Sequence, residues 1–214
     1  MKRNTDKYNQ ILTAAVKVFA DKGFAQSTIA QIAQEAGVAD GTIYLYFKNK
    51  DDILVQFYER MTEHVSDCFY KAVQEGATAI EKLHNLVRAH LEVFQSQASG
   101  AIVYQSETHL QWRLVQEPTR QMSRMYRELI SKLVALGQQE GSIRPDLYVG
   151  LVKRLINGAV EEVINTWIHT GMDHDLASMA EPLVDLFIKG IGTEAGAKAA
   201  DNMPLQFNHK ANVV

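Results

Sequence analysis

Thr42, Tyr44, Leu45, Tyr46, Lys48 and Lys50 crowd into one short segment that opens with Gly41. Together they carry the chemistry of a nucleic-acid groove. The threonine and tyrosine hydroxyls can bond phosphate oxygens or base edges, and Leu45 can meet a thymine methyl. Lys48 and Lys50 offer counter-charge to phosphate, and Gly41 lets the backbone approach a partner closely. A plain surface helix with aromatics packed on a neighbour is the competing reading for any one of these residues. Two tyrosines and a leucine on one short helix are poorly explained as solvated surface.

Two short helices joined by a tight turn would position this segment. Thr28 with Gln31 forms a capping box, and Ile29, Ile32, Ala33 and Ala36 recur at helical spacing behind it. Gly37 stops that helix in the left-handed conformation, with Val38 as the apolar contact that follows such a stop. A second helix over residues 41–47 projects Ile43 and Phe47 toward the first and spreads the groove-suited residues around the remainder. A bracing helix over residues 5–22 places Tyr8, Ile11, Leu12, Ala15 and Phe19 on one face and ends at Gly23. The layout is that of a helix-turn-helix DNA reader.

Residues 8–54 resemble the DNA-binding domain of the TetR family of bacterial transcriptional regulators. The resemblance rests on ILTAAVKVFADKGFAQSTIAQIA and on AGVADGTIYLYFKNKDDIL. It implies that Thr28, Gly41, Thr42, Tyr44, Leu45, Tyr46 and Lys50 touch DNA, whereas Phe47 belongs to the core. The family often has a hydroxyl residue at position 39, where this chain has Ala39. The following Asp40 is unfavourable beside phosphates unless it caps the helix or accepts from a cytosine amine.

The 214 residues carry a net charge of −3, which by itself argues against nucleic acid. Position reverses that reading. Residues 1–50 hold seven Lys/Arg against four Asp/Glu, and residues 51–214 hold fifteen against twenty-one, so the balance is +3 and −6. The phosphate-binding surface is therefore N-terminal, and so modest a charge favours two copies on a roughly palindromic double-stranded operator. The chain is expected to be cytoplasmic. The lone Cys68 excludes an internal disulfide, no apolar run approaches a membrane span, and the polar start MKRNTDKYNQ is unlike a secretory signal.

Apolar residues recur at three and four throughout, without strand or hairpin signals, so the fold class is all-α. An N-terminal three-helix domain over 1–50 with the helix-turn-helix is followed by a helical effector-binding and dimerisation domain over 51–192. Asn49 with Asp52 caps a connecting helix that runs toward residue 75. Helices follow over 79–94, 101–111 and 118–139, with a Ser/Gln/Gly loop at 96–100 and a start at Pro118. A long helix over 146–170 opens after Pro145, and Pro182 kinks or restarts the last one. Residues 193–214 lack periodicity and read as a mobile tail.

Stripes containing Leu155 and Val163, then Met179, Leu183 and Phe187, exceed what one helix pair covers and suit a copy of the same chain. The TetR resemblance likewise implies a dimeric four-helix bundle from the last two helices. An ordinary core pair is the other reading.

An enzyme reading has little to stand on, and no metal site or cofactor is expected. Glu81 and His84 form one Glu-x-x-His, but a carboxylate-bridged metal pair needs a second. The run His169 to Asp175 brings ligand-type side chains close together but reads as a helix-to-helix loop, with a weak, adventitious metal site as the other reading, and phosphate loops, nucleophile elbows, dinucleotide fingerprints and HExxH are absent.

Control of the DNA reader by the acidic helical part points to a small-molecule pocket. Its candidate lining includes Phe94, Val103, Tyr104, Trp112, Tyr126, Val160 and Trp167, all of which also fit plain core. Arg120, Arg124 and Arg127 fall on one helix near Arg113 and His109, and either hold phosphates or a carboxylate or form a solvated basic face. YLYFKNKDDIL and GAVEEVINTWI resemble the FadR-type TetR regulators of fatty-acid degradation in bacilli, which implies long-chain acyl-CoA as effector. A sensor of small hydrophobic or cationic compounds is the alternative, with Glu107, Glu161 or Glu162 meeting a cation. A helical scaffold that touches DNA nonspecifically is a third.

Overall fold

The computed structural model describes residues 2–194 and residue 198, apart from the side chains of residues 2–4, 109 and 112. The expected tail lies outside the described residues except for positions 193, 194 and 198. The chain is helical: α1 (Lys2–Lys22), α2 (Ile29–Glu35), α3 (Asp40–Ile43), α4 (Lys50–Glu75), α5 (Ala79–Ser96), α6 (Ala98–Leu110), α7 (Trp112–Gln139), α8 (Val149–His169), a 3-10 turn (Leu176–Met179) and α9 (Ala180–Ile191). No strand forms among the described residues. One isolated antiparallel bridge joins Ile143 to Gly192. Among the described residues no helix is long and apolar enough to cross a membrane.

Two compact units divide the chain. The first takes the residues up to His64 together with Gln97–Met122, and the second takes Val65–Ser96 and the chain from Ser123 on. This packing division differs from the one expected at residue 50, because the first turns of α4 and the whole of α6 complete the core of the first unit. Ile11, Phe19, Ile32, Ile43, Phe47, Ile53, Leu54 and Tyr58 are fully enclosed there. The Tyr8 ring stacks on Phe47 with centroids 4.9 Å apart, and its hydroxyl donates to Gln56 Oε1 at 3.0 Å. The aromatic end of the reading segment is thereby tied to α1.

In the second unit α5 packs against α8, the 3-10 turn and α9. Its apolar positions fall at helical spacing and are nearly all enclosed, among them Ile80, Leu83, Val87, Leu91 and Phe94. His84 Nε2 lies 2.9 Å from Glu181 Oε2, joining α5 to α9.

Several boundaries differ from the sequence expectation. The expected loop at 96–100 is largely the start of α6, where Gly100 lies against the Phe57 ring, so packing overrides weak helix propensity. Pro118 sits inside α7 and does not begin it, and Thr62 Oγ1 donates to its carbonyl at 3.3 Å. The long helix begins at Val149, after a turn in which Leu147 N donates to Arg144 O at 3.5 Å, and Arg144 N itself pairs with Ile191 O at 3.0 Å. Pro182 occupies the first turn of α9, where its missing N–H breaks no bond, and the chain restarts there after the 3-10 turn.

Candidate DNA-reading surface and effector cluster

The turn between the reading helices forms as its residues dictate. Gln31 N donates to Thr28 Oγ1 at 3.3 Å while Thr28 N donates to Gln31 Oε1 at 3.0 Å, a complete capping box. Gly37 adopts φ 62°, and Val38 N reaches back to Ala33 O at 2.9 Å, closing a Schellman stop. The second helix is shorter than expected. After Ile43 it tightens into a turn, with Phe47 N still donating to Ile43 O at 3.0 Å. Aromatic residues at 44 and 46 are weak helix formers, and only Ile43 and Phe47 anchor the segment.

This geometry presents the expected reading residues to solvent. Leu45 is 79% exposed and Tyr44 58%, which is a large uncovered apolar area for so short a segment. Gly41, Lys48 and Thr28 are exposed as well, and Thr42 and Tyr46 are half-buried. Asp40 is the first residue of α3 and makes no cap; Ala39 precedes it without a side-chain bond. Its charge favours the positive end of the helix.

Lys50 departs from the expected free counter-charge at the helix exit. Its ammonium turns back onto the loop between α1 and α2, donating to Phe24 O at 2.7 Å and Ser27 O at 2.9 Å. It also lies 4.5 Å from the centroid of the Phe24 ring. The same loop is held from α6, where buried Glu107 Oε1 accepts from Phe24 N at 3.0 Å. One Glu107 oxygen thus serves a backbone amide, a role that no local signal announces, while Oε2 is buried with no hydrogen-bond partner among the described residues. At the start of α4, Asp52 N donates to Asn49 Oδ1 and Lys48 N to Asp52 Oδ2, both at 2.8 Å, confirming the expected cap.

The expected ligand residues divide between the units. Val103 and Tyr104 are buried in the first, near the Tyr58 hydroxyl, and Arg113 and Arg120 are exposed. Phe94, Tyr126, Val160 and Trp167 are buried in the second, while Arg124 and Arg127 are exposed along α7. The side chains of His109 and Trp112 lie outside the described residues. Trp167 Nε1 donates to His174 O at 2.9 Å, which secures the loop after α8.

Sequence reasoning missed His90. Its ring meets Tyr126 edge to face with centroids 4.7 Å apart, and both contact Phe69, at 5.1 and 5.2 Å respectively. The Phe94 ring centroid lies 5.1 Å from that of His90. His90 Nδ1 and the Tyr126 hydroxyl are buried without a hydrogen-bond partner. Each such group costs about 1–3 kcal/mol. Burial holds the His90 imidazole down to about 3, so it is neutral at physiological pH. Burial first, then the Glu161 carboxylate, raises the Tyr126 phenol, which is neutral too. A histidine on an apolar helix face looks like any core position until its neighbours are known.

The expected dimer residues also separate. Leu155 on α8 is 53% exposed, alongside Leu151 at 63% and, on α9, Leu186 at 67%. Val163 and Met179 are half-buried. Leu183 and Phe187 are corrected to core positions: at 7% and 5% exposure they face the protomer's own interior. Periodicity marks both sides of an apolar helix and does not say which side a neighbour covers.

Residues 11–57 match the profile of bacterial regulatory proteins of the tetR family, and residues 57–190 match that of the YsiA-like protein C-terminal region. The fatty acid metabolism regulator protein of Bacillus subtilis is 34% identical over 191 residues, 89% of this chain and 98% of that protein. The solved fatty acid degradation regulator FadR of Bacillus halodurans superimposes with a TM-score of 0.78 at 32% identity, over 86% of this chain and 95% of its own. FadR of Bacillus subtilis, solved in complex with stearoyl-CoA, gives 0.73 at 35% identity over 86% of this chain and 99% of its own. With a helix-turn-helix whose reading residues are exposed and a matched C-terminal region, the chain belongs to the TetR family of bacterial transcriptional regulators.

Proposed function

We propose that this regulator represses fatty-acid degradation genes and leaves its operator when long-chain acyl-CoA binds. TetR-family regulators bind operator DNA as dimers and respond to small-molecule effectors. The observation that carries the finer reading is the likeness, along nearly the whole chain, to fatty-acid regulators, one of them solved with stearoyl-CoA. Residues 1–50 read DNA, residues 51–192 bind effector and dimerise, and the protein acts in the cytoplasm. Thr28, Gly41, Thr42, Tyr44, Leu45, Tyr46 and Lys48 face the groove. Lys50 shapes the loop behind them and adds charge.

An acyl chain suits the apolar interior of the second unit, around Phe94, Tyr126 and Val160. The exposed arginines of α7 suit the coenzyme phosphates.

Footprinting on the operator with and without palmitoyl-CoA tests the proposal. Protection of a symmetric site, lost on adding palmitoyl-CoA, is expected, and by linkage operator DNA should weaken acyl-CoA binding by the same factor. Replacing Arg120, Arg124 and Arg127 together by Gln should reduce acyl-CoA affinity and leave operator affinity near normal. Release by free palmitate as readily as by the thioester would refute the coenzyme assignment.

A further inference from the structure

Two buried polar atoms of the second unit have no hydrogen-bond partner among the described residues, and the rings that carry them are in contact. His90 Nδ1 on α5 and the Tyr126 hydroxyl on α7 are buried and unbonded, their rings 4.7 Å apart. The Phe69 ring contacts both, and the Phe94 ring contacts His90. Phenylalanine at either position would fill similar space without an unpaired polar group, so core packing alone does not account for the choice of residues.

The chemistry of the pair narrows what would complete it. A neutral imidazole can place its proton on Nδ1, and the phenol carries one on oxygen, so two donors are available in apolar surroundings. A carbonyl oxygen has two lone pairs and can accept from both. A quaternary ammonium satisfies neither donor. A free carboxylate would be buried as a charge within the field of Glu161, which Tyr126 already senses.

Building on the acyl-CoA reading, we propose that His90 and Tyr126 form the polar subsite that receives the uncharged carbonyl oxygen of an acyl thioester, discriminating thioester from free fatty acid. In the closed cluster both donors are buried. An effector that inserts its carbonyl satisfies both groups only in an opened arrangement of α5 and α7. That differential contact is what a ligand needs in order to shift a conformational equilibrium.

The test compares palmitoyl-CoA with S-hexadecyl-CoA, a thioether that lacks the carbonyl oxygen, on the full-length wild type and on Tyr126→Phe and His90→Phe. Wild type should bind the thioester about tenfold more tightly than the thioether, the scale of two neutral hydrogen bonds. Tyr126→Phe should shrink that preference severalfold and keep or raise the thermal midpoint; the readout is the thioester-to-thioether ratio, in which any effect on opening common to both ligands cancels. His90→Phe should act in the same direction. For wild type alone, the infrared carbonyl band of bound, carbon-13-labelled thioester should move to lower frequency, so the inference is tested even if a variant fails to fold.

An unchanged thioester-to-thioether ratio in the variants, or an unshifted carbonyl band, overturns the subsite and leaves the acyl-CoA reading intact. If neither coenzyme species binds wild type, the acyl-CoA reading fails, and the palmitoyl thioester of N-acetylcysteamine decides the subsite separately. Binding of that thioester, lost in Tyr126→Phe, supports it; no binding refutes it.

Discussion

Acidification should destabilise this protein through His90 in a way that one substitution removes. In the folded chain burial holds the imidazole down to about 3, against an ordinary 6.5. The unfolded chain therefore takes up the proton first as pH falls. The stability contributed by the neutral imidazole is fully present above the unfolded value and is lost as pH falls toward the folded one. The slope in that window is about 1.4 kcal/mol per pH unit, or roughly 3 kcal/mol between neutrality and about pH 4. Urea unfolding of wild type and His90→Phe, at one protein concentration because the dimer couples to folding, would read it. The variant should equal or exceed wild type at neutral pH and gain on it by about that amount at about pH 4. Parallel profiles for the two proteins would refute the reasoning. So would an imidazole that titrates near its ordinary value in a proton NMR titration of the folded wild type.

Lys48→Ala should weaken binding to all DNA alike and reduce the salt slope by about one per protomer, whereas Thr42→Ala should relax choice at particular bases; titrations on operator and random DNA at several salt concentrations distinguish them. Glu107→Ala should destabilise the protein by about 1.5–3 kcal/mol by orphaning the Phe24 amide, with Glu107→Gln retaining most of the stability because it keeps an acceptor; denaturant midpoints check both. Leu151→Asp with Leu155→Asp should leave a folded monomer in sedimentation, since both side chains are exposed, and a fully dimeric folded variant would place the interface elsewhere. Leu183→Asp should instead unfold the protomer, seen as loss of helical circular dichroism, because that side chain is in its own core.

What the sequence determined by itself is what short-range bonding determines. The capping pairs Thr28 with Gln31 and Asn49 with Asp52, the Gly37 stop and the restart at Pro182 all close within a few residues, so residue type and spacing suffice to read them. The helix-turn-helix is built almost wholly from such local pieces, which is why its exposed reading surface was legible. Tertiary structure decided what depends on distant partners. Lys50 turns toward carbonyls some 25 residues back because the loop after α1 passes beneath it, and Glu107 finds the Phe24 amide 83 positions away. His90 becomes a buried, unpaired donor only because α4 and α7 close over it with aromatic rings. On α9 the apolar repeat includes Leu183, Leu186 and Phe187 alike, and packing against α5 encloses the first and last while leaving Leu186 in solvent. Hydrophobic periodicity gives a helix an apolar side, but the direction from which the neighbour arrives determines which residues become core and which remain free to meet a partner.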